Sequence, residues 1–212
     1  MRSGRVRVNG EVASELGMRV VPGLDVVKLD GEVVTIPKEL WVAFWKPSGV
    51  LTTRRDPHGG TTVYDVLPGE LSGLKYVGRL DRDAEGLLLL TNDGDGAHRL
   101  QHPSSQVERE YRVEVAGSVG AQQVKELLQG IQLDDGIATA LSARVLEGGA
   151  IKTRMCIVLT EGRKREVRRM LSALGHPVLR LRRVRFGSVT LDRLEPGEWR
   201  YLDQAETDRI IG

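Results

Sequence analysis

The chain has 212 residues, 40% of them hydrophobic, enough to bury one sizeable core and a smaller appendage, which excludes a disordered protein. Its single cysteine, Cys156, excludes a disulfide framework or a cysteine-rich zinc site, and no apolar run approaches the roughly 20 residues that cross a bilayer. The net charge of +2 conceals an uneven distribution, because between Glu161 and Arg185 nine of the 31 basic residues stand against two of the 29 acidic ones, and the remainder of the chain is net acidic. Such a cluster is the expected footprint of a polyanion site, with a solvated charged face as the alternative. The expectation is a soluble cytoplasmic protein in a reducing compartment, with Cys156 buried in an apolar run.

Residues 1–36 are short alternating segments broken by Asn9-Gly10, Pro22-Gly23 and Asp30-Gly31, the turn dipeptides of a small β-rich unit. Ile36, Pro37 and Lys38 read as a linker. From Leu40 onward, strand-like runs at 41–45, 87–91, 111–115, 139–146, 151–160 and 178–184 alternate with short helical patterns, which predicts a mixed α and β domain over 40–205. Tyr111 shares the phase of Val113 and Val115 and is expected to face inward, and Leu179 and Leu181 are expected to pack while Arg180 and Arg182 form a cationic face.

Two helices are predicted. Val124, Leu127, Leu128 and Ile131 share one helical face, with Gly130 as terminator. Residues 164–174 place Val167, Met170, Leu171 and Leu174 on one stripe, and Gly175 and Pro177 end the helix. Lys164 and Arg168, four apart, then present cations on a neighbouring face.

Catalytic potential concentrates in the segment from Gly78 to Gly86, where Asp81, Asp83 and Glu85 are interleaved with Arg79 and Arg82 directly before an apolar run. A carboxylate held beside a core and flanked by arginine can stay ionised and serve as nucleophile or base. A surface turn with exposed ion pairs is the alternative. The spacing also mimics the opening of a calcium loop, but Asn92 stands where a bidentate glutamate is required. His98 and His102, four apart, lack further ligands in a zinc pattern, so no metal site is expected.

The segment Gly78-Arg79-Leu80-Asp81-x-Asp83-x-x-Gly86-Leu87-Leu88-Leu89-Leu90-Thr91-Asn92-Asp93-Gly94 resembles the signature of the RsuA family of bacterial ribosomal-RNA pseudouridine synthases. The resemblance extends in order through Lys46-Pro47-x-Gly49-Val50, His102-Pro103-Ser104, Glu108-Arg109-Glu110-Tyr111 and the run from Glu161 to Leu171, and covers 40–201. The stretches 52–57 and 107–111 are more similar to its RluB-like branch.

This resemblance implies an α+β fold, with a mixed, mostly antiparallel central sheet, flanking helices and a cleft across the sheet. It implies isomerisation of a uridine in ribosomal RNA, more in keeping with the large subunit, by a catalytic aspartate and base flipping without a cofactor. Asp81 matches the catalytic aspartate, Tyr111 the tyrosine that stacks on the base, Arg168 the arginine that pairs with the aspartate, and Leu181 an apolar residue lining the pocket. Arg79 is the candidate to fill the space vacated by the base, and Lys46, Lys164 and Arg165 are candidates for contact with RNA. The implied partner is ribosomal RNA or a pre-ribosomal particle, with no membrane and no obligatory protein partner. Residues 1–36 resemble only the β-rich half of a ribosomal-protein S-four-like RNA-binding domain, because Gly4-Arg5-Val6-Arg7-Val8-Asn9-Gly10 begins almost at Met1. A noncatalytic RNA-binding protein would carry the same basic cluster but would have no use for Asp81 beside phosphate.

Overall fold

The structure is a computed structural model and describes residues 4–15, 17–21, 23–35 and 38–212. The chain divides into two compact units, Met1–Glu39 and Leu40–Gly212. The first is a small antiparallel sheet of Val6–Val8 (β1), Glu11–Val12 (β2), Val27–Leu29 (β3) and Glu32–Val33 (β4), in the order β2-β1-β3-β4. Asn9 and Gly10 (φ 52° and 92°) and Asp30 and Gly31 (φ 53° and 91°) supply the paired positive dihedrals that tight hairpin turns require. Pro22, Ile36 and Pro37, which belong to the expected turn and linker, lie outside the described residues.

The second unit is built in chain order from Trp41–Lys46 (β5), the short helix Val63–Val66 (α1), Lys75–Val77 (β6), Glu85–Thr91 (β7), Gly94–Gln101 (α2), Arg109–Ala116 (β8) and Ala121–Gln129 (α3). It continues with Ile131–Leu133 (β9), Gly136–Ala138 (β10), Ser142–Glu147 (β11), Lys152–Leu159 (β12), Glu166–Ala173 (α4), Val178–Phe186 (β13), Val189–Thr190 (β14), Trp199–Tyr201 (β15) and Gln204–Ile211 (α5). The main sheet runs β11-β12-β8-β13-β7-β5-β15, with β14 added to β13 and β6 to β7. β5 and β7 are buried at every position, as expected for strands covered on both faces. On one face Val42, Phe44, Leu88, Leu90 and Val113 pack with Leu127 of α3 and Val167, Met170 and Leu171 of α4. On the other, Trp41, Leu87, Leu89 and Phe186 pack with Ala97 and Leu100 of α2 and Ile210 of α5. The burial of Ile210 carries this unit past the expected limit at 205.

Every pairing in the main sheet is antiparallel except one. β13 runs parallel to β7 through Arg182 opposite Glu85 and Arg183 opposite Gly86. Gly86 has φ 104°, and a Cβ placed there would lie 2.2 Å from the Arg183 carbonyl oxygen. Glycine is therefore required for the two strands to meet.

Several local expectations are corrected. The second predicted helix starts at Glu166, so Lys164 lies in the preceding turn and does not share a helical face with Arg168; Arg165, at φ 52°, is the N-cap and reverses the chain there. The stop is as read, because Gly175 takes φ 81° and the amide of His176 returns to Leu171 O at 2.9 Å. Ile131 begins β9 instead of ending α3, since Gly130 at φ 114° breaks the helix one residue earlier. Residues 139–146 are not one strand, because β10 ends at Ala138 and β11 begins at Ser142. Leu179 is 58% exposed while Leu181 is buried, because the register of β13 slips between Val178 and Arg180. His102 caps α2, with Nδ1 2.7 Å from Ser104 Oγ.

Gly86→Ala is expected to cost more than about 3 kcal/mol, combining a disfavoured dihedral with a backbone clash. Chemical denaturation of this variant beside Gly94→Ala, where an added Cβ meets nothing within 4 Å, checks the expectation.

Candidate active site

The loop between β6 and β7 carries Asp81, and the 46–52 segment nails its backbone in place. The amide of Gly49 donates to Arg82 O at 2.7 Å, and Arg82 Nε donates back to Gly49 O at 3.3 Å. Buried Thr52 donates its hydroxyl to Leu80 O (2.8 Å) and accepts from the Leu80 amide (3.3 Å). Leu80 and Ala84 turn into the core, and Asp81 between them keeps a side chain 28% exposed. The alternation of apolar and acidic residues thus anchors the loop on one side and aims the carboxylate outward on the other.

Lys46 is corrected from an RNA contact to a structural clamp. It is fully buried, and its Nζ donates to Pro47 O at 2.9 Å, Val50 O at 2.7 Å and Arg82 O at 3.5 Å. Burial pulls its pKa down to about 8, against the opposing pull of Asp81, Asp83 and Glu85. No phosphate can reach it.

Asp81 opens onto a cleft of about 750 Å³ in the second unit, lined also by Arg79, Tyr111, Leu181, Arg183 and the turn 161–167. Asp81, Tyr111, Arg79, Lys164, Arg165 and Leu181 are therefore brought together, whereas Arg168 and Lys46 do not line the cleft. The cation nearest Asp81 is Arg165, with Nη1 3.9 Å from Oδ2. Arg168, expected to pair with Asp81, instead pairs with Asp83 at 3.1 Å and donates to Asp83 O at 3.0 Å and Val178 O at 3.1 Å. The reason is position: Arg168 lies in the first turn of α4, where it meets Asp83. Asp83 also takes a two-pronged bond from Arg165, at 3.0 and 3.3 Å. Burial raises the Asp83 pKa, but that bond and the charges of Arg168 and Arg165 outweigh it and leave the carboxyl below its ordinary value.

The basic cluster that dominates the sequence is largely neutralised within the fold. Arg163 pairs with Glu161, Arg169 with Asp134 and Asp135, Arg180 and Arg182 share Glu85, and Arg185 pairs with Glu108 and Glu110. Arg182 also lies over the Trp45 ring at 4.7 Å. Among the described residues, the members without an acidic partner are Lys164, which is exposed, and Arg183, which is buried. Arg79 is likewise exposed at the cleft with no ion pair among the described residues. Cys156 is buried as expected, its Sγ 3.2 Å from Glu110 Oε1, and burial pushes its pKa up.

Sequence reasoning missed three side chains that line this cleft. Arg109 is buried under Gly162 and donates from Nη1 to Val107 O and Thr160 O, both at 2.9 Å. Its phase, two before Tyr111, was the available signal. Arg183 carries no sequence signal beyond that of one more cation in the cluster. Glu166 is 3% exposed, accepts the Arg163 amide at 3.1 Å through Oε2, and has Oε1 buried without a hydrogen-bond partner. Burial first, then the neighbouring Glu161 carboxyl, pushes its pKa up to about 7.

A half-buried carboxylate beside a guanidinium, a tyrosine on β8 and exposed cations at the rim form a site able to take a single unstacked nucleotide. Residues 41–173 match the RNA pseudouridylate synthase family. The chain is 46% identical over 218 residues to the ribosomal large subunit pseudouridine synthase B of Vibrio cholerae, covering 99% of this chain and 67% of that protein. The Escherichia coli protein of the same name is 44% identical over 220 residues, covering 99% and 75%. A crystal structure of a pseudouridylate synthase superposes with a TM-score of 0.76 at 30% identity, covering 99% of this chain and 90% of that one. The archaeal box H/ACA Nop10–Cbf5 complex shares the fold at a TM-score of 0.53 and 18% identity, over 72% of this chain and 49% of that one. The chain belongs to the RNA pseudouridylate synthase family.

Glu166 generates a pH-dependent prediction. Its folded pKa, about 7, lies above the ordinary 4.5, so the native state binds the proton more tightly and stability falls as pH rises through that window. Glu166→Gln should flatten this fall and be the more stable form at pH about 8, by on the order of 1–3 kcal/mol. Denaturant melts of both proteins at pH values spanning about 5 to 8 provide the check; parallel curves would contradict it.

Proposed function

We propose that this protein isomerises uridine to pseudouridine in large-subunit ribosomal RNA, with Asp81 as the reacting carboxylate. The observation that carries the reading is the placement of Asp81: half-buried, facing the cleft and 3.9 Å from Arg165. The large-subunit substrate rests on the names of the relatives. The reaction breaks the bond from C1′ to N1, turns the base and forms the bond from C1′ to C5. It is redox-neutral and conserves atoms, so it needs no cofactor.

In this reading the target nucleotide leaves its stack, at a cost of a few kcal/mol, offset by stacking on Tyr111 and contact with Leu181. Asp81 then acts on the ribose or the base as nucleophile or as proton acceptor, with Arg165 as the neighbouring cation. Arg168 serves by holding Asp83 and with it the shape of the 78–84 loop. Arg79 and Lys164 contact RNA phosphate, with Arg79 also placed to enter the space vacated by the base. Residues 1–36 are proposed as part of an S-four-like module. There Arg5 is already paired with Asp30 at 3.1 Å and Arg7 donates to Gly10 O at 3.1 Å, so that module adds modestly to affinity. The proposed setting is the cytoplasm, on ribosomal RNA or a pre-ribosomal particle.

Asp81→Asn should lower isomerisation by at least about a thousandfold while RNA affinity and unfolding midpoint stay close to those of the parent. The test is release of tritium from large-subunit RNA labelled at uridine C5; full release by the variant would overturn the assignment. In salt titrations of binding, Lys164→Ala and Arg79→Ala should each reduce the slope of log K against log salt by about 0.7, the value for one phosphate contact. Arg169→Ala, whose guanidinium is already held by Asp134 and Asp135, should leave the slope unchanged.

A further inference from the structure

Arg183 is the anomaly of the cleft. It is a cation only 2% exposed, and among the described residues it has no carboxylate partner. Its Nε donates to Leu87 O at 2.8 Å, its guanidinium lies over the Phe186 ring at 5.0 Å, and its Nη2 is buried without a partner meeting full hydrogen-bond geometry. Burying a guanidinium without a counter-charge is costly, and an apolar side chain of similar volume would pack there more favourably. Packing therefore does not account for the residue.

The strand register supplies a reason. Arg183 stands directly opposite Tyr111 across the β13–β8 pair, so the two side chains leave the sheet on the same face and the buried guanidinium interacts electrostatically with the tyrosine. A guanidinium has donors and no acceptor, whereas a phenol oxygen both accepts and donates. Where the two meet, the oxygen must accept and the phenolic hydrogen must point elsewhere. Arg109, the other buried cation interacting with Tyr111, has no acceptor to give in its side chain either. Tyr111, Arg109 and Arg183 all line the same cleft, so the open direction for that hydrogen is the cleft itself.

We propose that Arg183 is a positioning residue that commits the acceptor side of the Tyr111 hydroxyl and turns its O–H into the cleft, where it donates to an oxygen of the flipped nucleotide. This rests on the reading of the cleft given above and deepens it: Tyr111 supplies a directed donor in addition to a stacking surface. No bond other than the hydrogen bond is made or broken by this step.

The test is a double-mutant cycle on Arg183 and Tyr111, read as kcat and KM for tritium release from large-subunit RNA transcribed with uridine tritiated at C5. Tyr111→Phe should lower kcat by about a hundredfold with KM nearly unchanged. Arg183→Met should give a similar loss in the parent but less than about threefold further loss in the Tyr111→Phe background, because the group it acts through is already gone. Arg183→Lys, which keeps a donor-only cation, should recover part of the loss in the parent and none in that background. If Arg183→Met fails to fold, the Lys variant carries the same cycle. Multiplicative losses, or a Tyr111→Phe protein as active as the parent, would overturn the proposal. Absence of tritium release by the parent protein would overturn the isomerase reading and this proposal with it.

Discussion

The parallel contact between β7 and β13 is the constraint on which the rest of the second unit depends. Gly86 is pressed against the Arg183 backbone so closely that no side chain fits between them. β7 emerges directly from the loop that holds Asp81, and β13 follows α4, whose N-terminal turn holds Arg165. Joining these strands brings a carboxylate and a guanidinium from residues far apart in sequence to 3.9 Å. On its other side β13 pairs with β8, which sets Arg183, the residue that Gly86 faces, opposite Tyr111.

The same closure redistributes charge. A run of cations that would repel itself in an extended chain is neutralised by acids supplied by other elements: Asp83 and Glu85 from the β6–β7 connection and β7, Glu110 from β8, and Asp134 and Asp135 from the β9–β10 turn. Partly buried pairs of this kind define geometry more than they add stability. Asp83 illustrates it, since holding both Arg165 and Arg168 fixes the turn before α4 against the loop before β7. Arg165 is held there at φ 52°, a conformation unusual for a side-chain-bearing residue. What is left for RNA is a small number of exposed cations, Arg79 and Lys164 among them, at the mouth of the cleft.

Beneath the site lies a polar layer that bears on rigidity. Lys46 gathers carbonyls of two loops onto one ammonium, and Thr52 bonds Leu80 in both directions. A carboxylate carried on a loop gains the precision of a strand when its backbone is held in this way. Glu166, below the turn of the basic helix, adds a carboxyl whose proton is retained near neutrality.

Much of this was legible in the residues themselves. The turn dipeptides, the apolar phases of β5, β7 and β8, the stripe of α4 and the spacing of acid and arginine around Asp81 are local properties, and local sterics and periodicity suffice to read them. The long motif through Asn92 and the run from Glu161 carried the family, because a chemistry that demands particular residues at particular spacings leaves a linear trace. Tertiary structure alone decided which charges meet. Arg168 goes to Asp83 and Arg165 approaches Asp81 because the parallel contact sets the distance between loop and helix, a quantity with no local signature. Lys46 is buried for the same kind of reason: its partners are carbonyl groups, which every residue possesses and no sequence pattern marks. Arg183 reads in one dimension as one more member of a basic cluster, and only the pairing of two strands distant in sequence sets it opposite a tyrosine with no acid to pair with. Pairwise electrostatics depend on distance through space, and distance through space is what the linear order of residues does not contain.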